Sequence, residues 1–546
     1  MTEPDHDVVI IGAGAGGGSV ACGLARAGIR VLLLEAGPHF EPGSDFRLDL
    51  PAWELTRFPR KAGSRGRFSY AELQALDGSH ADLRSRNVHT GRMVPGNRRH
   101  AYGYHHVRGV GGSTLHFTGE AHRLNPQAMK LYRDYGAGAD WPFDYATLEP
   151  WYEEAEQIAG VAGPARTAQR PRRSPCPLPA HDLSHASRKL AGGAARLGWG
   201  WEANTVAALS RPYDGRPDCN YCQQCNRGCP RGDKGSVDVT FLRKAVATGN
   251  CSIRSGIQVT RLLSGANDRV HGLVYHDSEG EHQLDAARVV LCAGSVETPR
   301  LLLASDGLAN ESGQVGRNFL ETLGWTSIGL HPEPLGSHRG LPSDSICWDF
   351  NAPDAIPGVI GGIRLSPAVG ESDLSGAFNY ASRVAGGWGL AHRQRMRESF
   401  GRALGVGAIG ECLPDAGSYV DLDPEMTDDT GMPLARIHSH LGDMAIARIA
   451  FMAARCRELL RASGVETVIE EFGSYDLFSS THVFGTCRMG QDPSRSVVNA
   501  DCRSHRWKNL YIVDASVFPS SGGGESPSLT IEALGLRAAG HIRSAG

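Results

Sequence analysis

A glycine turn set between two apolar runs constrains this chain more than any other feature. Asp7–Ile11 is short and apolar, Gly12-x-Gly14-x-x-Gly17 follows at once, and Ser19–Ala27 has helical character. Val31–Leu34 is a second apolar run, ended by Glu35. A lone G-x-G-x-x-G says little. Strand, turn, helix, strand and acid in that order specify a dinucleotide-binding βαβ unit. Gly12 permits the tight turn, Gly14 lets backbone amides approach a pyrophosphate at the helix N-terminus, and Gly17 lets helix and strand pack closely. A carboxylate at Glu35 accepts hydrogen bonds from ribose hydroxyls and disfavours a 2′-phosphate, hence NADP. It does not separate NAD from FAD.

The rest of the chain must house that unit. With 546 residues, two to four domains are expected. Hydrophobic residues are 41% and charged residues 21%, as in soluble globular proteins. A net charge of -3 leaves no footprint for nucleic acid. No apolar run approaches the ~18 residues that span a bilayer. Met1–Asp7 is polar and acidic, so the expectation is a cytoplasmic protein without a signal peptide, with export on a partner's signal left open.

Further elements follow from pattern. Leu148–Ile158 and Asp443–Ser463 read as helices, the second with Asp443 capping its start and Gly464 at its end. Val161–Pro179, rich in Pro and Arg, reads as a surface loop. Strands are expected at Ser252–Leu262, Arg288–Cys292 and Leu510–Asp514, with helices from about Thr298 and over Ser528–Ile542. Nucleotide-type elements at both ends and in the middle point to one nucleotide-binding domain assembled from separated segments.

Four of the thirteen cysteines are clustered, as Cys219-x-x-Cys222-x-x-Cys225-x-x-x-Cys229-Pro230. The run copies the bacterial ferredoxin spacing for iron–sulfur ligation. Three readings stand: a [3Fe–4S] or [4Fe–4S] cluster, a zinc site, or a segment without metal.

Several motifs resemble the glucose–methanol–choline (GMC) oxidoreductases. Arg108-Gly109-Val110-Gly111-Gly112-Ser113-Thr114 is similar to the family's first signature, and Ala293-Gly294-Ser295 through Leu302 to its second. Val315-Gly316-Arg317-Asn318-Phe319, Trp141-Pro142 with Glu149-Pro150-Trp151-Tyr152, His482-x-x-Gly485-Thr486-Cys487, and Asn509 through Ser516 follow in family order. Within the family the match is nearest to bacterial gluconate-dehydrogenase and FAD-glucose-dehydrogenase large subunits. The resemblance implies an α/β fold, α+β overall: a Rossmann-like FAD-binding domain over 1–40, 101–130, 216–320 and 485–546. A discontinuous substrate domain, built on an antiparallel sheet plus helices, takes 41–100, 131–215 and 321–484. It implies bound FAD, contacted by Gly12, Gly14, Gly17, Glu35, Arg108, Gly111, Gly112, Ser113, His116, Val259, Asn318, Asp514 and Ala515.

Alcohol oxidation by a flavin needs a base for the hydroxyl proton, and imidazole suits the task. His482 aligns with the family's catalytic histidine. Ser526 stands where the related dehydrogenases carry Asn, and its readings are a substrate hydrogen bond or a helix cap; adjacent Glu525 is a further candidate. His116 falls where some members bond the flavin covalently and others only pack against it. His438-x-His440 reads as an ordinary strand pair or a pocket wall. Cys219, Cys225 and Cys229 reproduce the related dehydrogenases' cluster spacing. The expected activity is oxidation of an alcohol (a sugar, polyol or relative), with electrons leaving to a subunit or cytochrome through a cluster. An oxidase returning electrons to O₂, and a lyase on the same scaffold, are the alternatives.

Overall fold

The computed structural model describes residues 6–46, 88–91, 103–104, 106–165, 170–370, 374–474, 479–480 and 482–545. Most of the 41–100 segment expected in the substrate domain lies outside them.

The chain opens with β1 (Val8–Ile11), α1 (Ala15–Arg26) and β2 (Val31–Leu34), and later crosses in α2 (Tyr145–Ala159). It returns with β3 (Cys251–Arg254), β4 (Val289–Leu291) and α3 (Gly294–Ala304). An excursion follows through β5 (Leu323–Leu330), β6 (Ile363–Pro367), α4 (Gly389–Ser399), β7 (Ala403–Gly410), α5 (Asp443–Ala462) and β8 (Thr467–Gly473). The chain closes with β9 (Leu510–Ile512) and α6 (Ser528–Ser544).

Two sheets organise these elements. The first is fully parallel, in the order β9-β4-β1-β2-β3. Every residue of β1, β2, β4 and β9 is buried. Such continuous apolar runs belong to a sheet covered on both faces. On one side α1 packs against α6 at a distance only small residues permit. A Cβ on Gly535 would lie 1.9 Å from Ser19 Oγ, and one on Gly16 would lie 1.9 Å from the Val513 carbonyl oxygen. The second sheet is antiparallel, in the order β6-β7-β5-β8. Helix α5 lies on it and buries Ile449, Met452, Cys456 and Leu459 at helical spacing.

The mixed α/β architecture agrees with expectation; several local readings do not. Helix α1 starts at Ala15 and α3 at Gly294, earlier than the pattern suggested, because their first turns are the glycine-rich segments themselves. The strand expected over Ser252–Leu262 is two strands, β3 and Gln258–Gly265, and the second leaves for a three-stranded antiparallel meander. Asp443 does not cap α5: Gly442 holds the cap position and Asp443 lies in the first turn. The 161–179 segment is not a free surface loop. Arg170 and Arg172 in it have side chains only 5% exposed, each paired with a buried glutamate.

Candidate active site

One cavity of about 450 Å³ runs between the two sheets. Its first wall is the C-terminal edge of the parallel sheet, where ligands bind in doubly wound folds. Gly12, Gly14 and Glu35 line it there. A Cβ on Gly112 would lie 2.7 Å from Gly14 Cα, so the two glycine turns meet backbone to backbone at the cavity wall. Gly14 is the N-cap residue of α1; no side chain caps this twelve-residue helix and no acid lies in its first turn. Its uncapped amides and positive dipole end fit a pyrophosphate.

The carboxylates at this end organise backbone. Glu35 accepts from the Ala13 amide (2.8 Å) and the Gly37 amide (2.9 Å), and burial pushes its carboxyl upward. A carboxylate retains lone pairs for a ribose hydroxyl after two such bonds. Asp514 accepts from the Gly294 amide (2.9 Å), Thr298 Oγ1 (2.6 Å) and the Ser516 amide (2.8 Å), tying β9 to the start of α3. Arg108, Ser113, His116, Val259 and Ala515 line the same cavity. Arg108 Nη2 donates to Gln258 Oε1 at 2.9 Å.

Three expected cofactor contacts do not line it. Gly17 sits behind the turn, where a Cβ would lie 1.8 Å from the Gly12 carbonyl oxygen, so its part is close packing. Gly111 takes φ +114° and allows the second turn. Asn318, left-handed at φ 57°, donates through Nδ2 to Gln314 Oε1 at 2.9 Å.

The far wall carries the chemistry. His482 and Ser526 both line the cavity. Burial, with the nearby Arg364 charge, holds the His482 imidazole down to about 3. It is therefore neutral, the form that accepts a proton. Ser526 caps nothing, because Pro527 holds the cap position of α6. Its amide donates to His122 Nδ1 at 3.0 Å. His122 Nε2 lies 2.9 Å from Asn204 Oδ1, which fixes the ring's donor and acceptor sides. Glu525 points away from the cavity, into a buried pair with Arg170. Arg364, fully buried, donates to Glu120 Oε2, to the Gly524 carbonyl (2.7 Å) and to Ser366 Oγ (2.6 Å). It thus clamps the loop before Ser526 onto β6. Glu120, His122, Arg170 and Arg364 carry no sequence motif; their partners are distant in the chain. His438 lies outside the cavity lining, stacked on Tyr419 (4.1 Å between centroids) and 3.2 Å from Asp421 Oδ1. The strand-pair reading holds for it.

The cysteine run borders the same cavity. Asn226, inside the run, is a lining residue, and its carbonyl accepts from His116 Nδ1 at 2.6 Å. The cysteines themselves do not suit a metal as placed. Cys229 Sγ donates to Asp233 Oδ1 at 3.1 Å, and Cys219 Sγ accepts from the Tyr221 amide at 3.4 Å. Burial pushes Cys219 up to about 12 and raises the other three thiols. Among the described residues no three His, Cys, Asp or Glu side chains converge so as to hold a metal ion. Among the described residues the four thiols do not converge on one point, so the fold by itself carries neither the iron–sulfur nor the zinc reading.

A doubly wound dinucleotide site that shares its cavity with a neutral histidine and a hydroxyl defines the class: a flavin-type oxidoreductase. The chain matches the family model described as GMC oxidoreductase over residues 89–323 and 414–535, and a Rossmann-like NAD(P)-binding model over residues 10–47. It is 30% identical to the 2-methyl-1,2-propanediol dehydrogenase of Mycolicibacterium austroafricanum, over 98% of this chain and 95% of that one. It is also 30% identical to the fructose dehydrogenase large subunit of Gluconobacter japonicus, over 98% and 97%. The crystal structure of pyridoxine 4-oxidase from Mesorbium loti shares the fold, with a TM-score of 0.64 at 21% identity over 99% of each chain. This chain belongs to the GMC oxidoreductase family, and it is an oxidoreductase. The family and the dinucleotide-binding turn imply FAD, and the uncapped amides of α1 fit its pyrophosphate.

Proposed function

We propose that the protein oxidises a CH–OH group of a sugar, polyol or related alcohol and passes the electrons to an external acceptor rather than to O₂. One observation carries the reading: His482 and Ser526 line the cavity that the glycine turns also line. Held neutral by burial, His482 accepts the alcohol's hydroxyl proton. Ser526, whose amide His122 holds, presents its hydroxyl to the substrate oxygen. The Arg364 charge is met by Glu120, so this wall presents a compensated ion pair rather than a bare cation. Bound FAD supplies the hydride acceptor. Gly12, Gly14, Glu35, Arg108, Gly112, Ser113, Val259, Asp514 and Ala515 would hold it, with His116 packed alongside. Two dehydrogenases among the relatives favour an acceptor other than O₂. Two further relatives named as oxidases, 29% and 28% identical, are the reason to test the oxidase reading.

The test is an anaerobic titration of the flavin-loaded protein with neutral sugars, polyols and diols. The expected result is bleaching of the flavin bands, with faster recovery on adding an artificial dye than on adding air. Bleaching with faster recovery in air would make the protein an oxidase. No bleaching by any alcohol that is nevertheless consumed would leave the lyase reading. Iron and sulfide assays on the same sample address the cysteine run. Acid precipitation shows whether flavin stays with the chain at His116.

A further inference from the structure

The link between β6 and β7 carries the most exposed large apolar side chains among the described residues. Trp388 is 89% exposed and Leu390 81%. Both lie in Gly386-Gly387-Trp388-Gly389-Leu390, at and just before the start of α4. No residue of α4 is fully buried. Its inner face is defined all the same. Met396 and Phe400 pack on a cluster of Ile328, Val369, Leu374, Tyr380 and Ala403, and His392 Nδ1 lies 2.7 Å from the Gly386 carbonyl oxygen. The outer face is then set by helical spacing: Leu390, Arg393 and Arg397 recur at i, i+3 and i+7, and all three are exposed.

Charge along the sequence from 382 to 402 is one-sided. Residues 382–402 include Arg383, Arg393, Arg395, Arg397 and Arg402 against a single acid, Glu398. Among the described residues only Arg383 of these is matched by a carboxylate on another element, Glu470 at 2.5 Å. The whole chain has net charge -3, so this cationic patch runs against the balance of the molecule.

We propose that α4 and the Trp388–Leu390 tip form a peripheral docking site for an anionic phospholipid surface. Tryptophan settles at the boundary between headgroups and acyl chains, and a helix with basic and apolar residues on one face lies in that boundary. Guanidiniums beside the tip are attracted to anionic headgroups over about a Debye length. Trp388 and Leu390 make a small apolar tip, with Arg393 and Arg397 exposed beside Leu390 on the same helix face, and shallow insertion suits that arrangement better than a broad flat protein interface does. At eleven residues α4 is too short to cross a bilayer, and among the described residues no helix is long and apolar enough to do so. This inference is independent of the proposed chemistry.

The experiment is vesicle flotation of the full-length, flavin-loaded protein. At low salt, binding to phosphatidylcholine vesicles containing phosphatidylglycerol should exceed binding to phosphatidylcholine alone by about tenfold, and salt should suppress the difference. The double variant Trp388→Ser, Leu390→Ser and the double variant Arg393→Ser, Arg397→Ser should each lose most of that binding while keeping the parent's flavin spectrum and melting temperature. Equal binding to both vesicles, no binding, or variants that bind like the parent would overturn the proposal. So would light scattering that shows a dimer broken by Trp388→Ser, Leu390→Ser, since the tip would then belong to a second copy of the chain.

Discussion

Proton affinity separates the residues of the candidate site. His482 is depressed to about 3, so between pH 5 and 9 it stays neutral and its titration contributes no acid limb to kcat/KM. His482→Ala should lower kcat by about 10²–10⁴-fold with the flavin spectrum intact. Ser526→Ala removes one neutral hydrogen bond and should lower kcat/KM by about tenfold or less. Steady-state kinetics on the two variants checks the ranking, and equal losses would remove the distinction between base and orienting group. Behind this wall lies Glu411, pushed up to about 8 by burial and by neighbouring Glu525, with Oε2 unpartnered. A carboxyl with a raised folded pKa binds more protons in the native state than in the unfolded one. Its contribution to stability is therefore full below about pH 4.5 and is lost as pH rises towards 8. Glu411→Gln should accordingly melt close to the parent at pH 5 and above it at pH 8, in thermal scans at both values.

Among the elements, contact between α1 and its neighbours depends on missing side chains. Gly16 and Gly17 each leave room for a backbone carbonyl, from Val513 and Gly12 respectively. A backbone carbonyl cannot swing aside as a side-chain end can. Gly16→Ala should therefore push α1 away from the segment after β9 and cost about 1–3 kcal/mol. Flavin content per chain should fall with it, because the amides at the start of α1 move together with the helix. Thermal melting with flavin quantitation tests this, and an unchanged melting temperature at full occupancy would contradict it. The cysteine run is the element whose local pattern the fold does not turn into a ligand set among the described residues. Its spacing matches a cluster-binding loop, yet spacing does not set where thiols point. In the folded segment Cys229 Sγ donates to Asp233, Gln223 Nε2 donates to the Ser337 carbonyl, and Lys234 Nζ donates to the Cys225 carbonyl.

For the whole molecule, buried ion pairs join segments that no local pattern connects. Arg170 stacks over the Trp348 ring at 3.4 Å and pairs with Glu525, bringing the 161–179 segment against the loop that carries Ser526. Removing one partner leaves the other charge buried and alone, so Arg170→Met should cost about 3–5 kcal/mol. Denaturant unfolding measures the cost, and kcat should fall too because the Ser526 loop loses an anchor. An Arg170→Met, Glu525→Gln pair that recovers most of the stability would show the cost to be that of an unpaired charge.

What the sequence by itself determined is what short windows encode. The glycine turn, the apolar runs of the parallel sheet and the His482 segment act through neighbours a few residues away, and backbone sterics and periodicity write them directly into the chain. Glu35 and Asp514 were legible because the family's turn chemistry places them. Tertiary structure alone decided the Glu120–Arg364 clamp, the His122 hold on Ser526, the inward turn of Arg170 and the exposure of Trp388. The first three depend on which strands become neighbours in the antiparallel sheet and on which groups lose water there. Pairing and desolvation of that kind are properties of the packed chain, and no window of residues contains them.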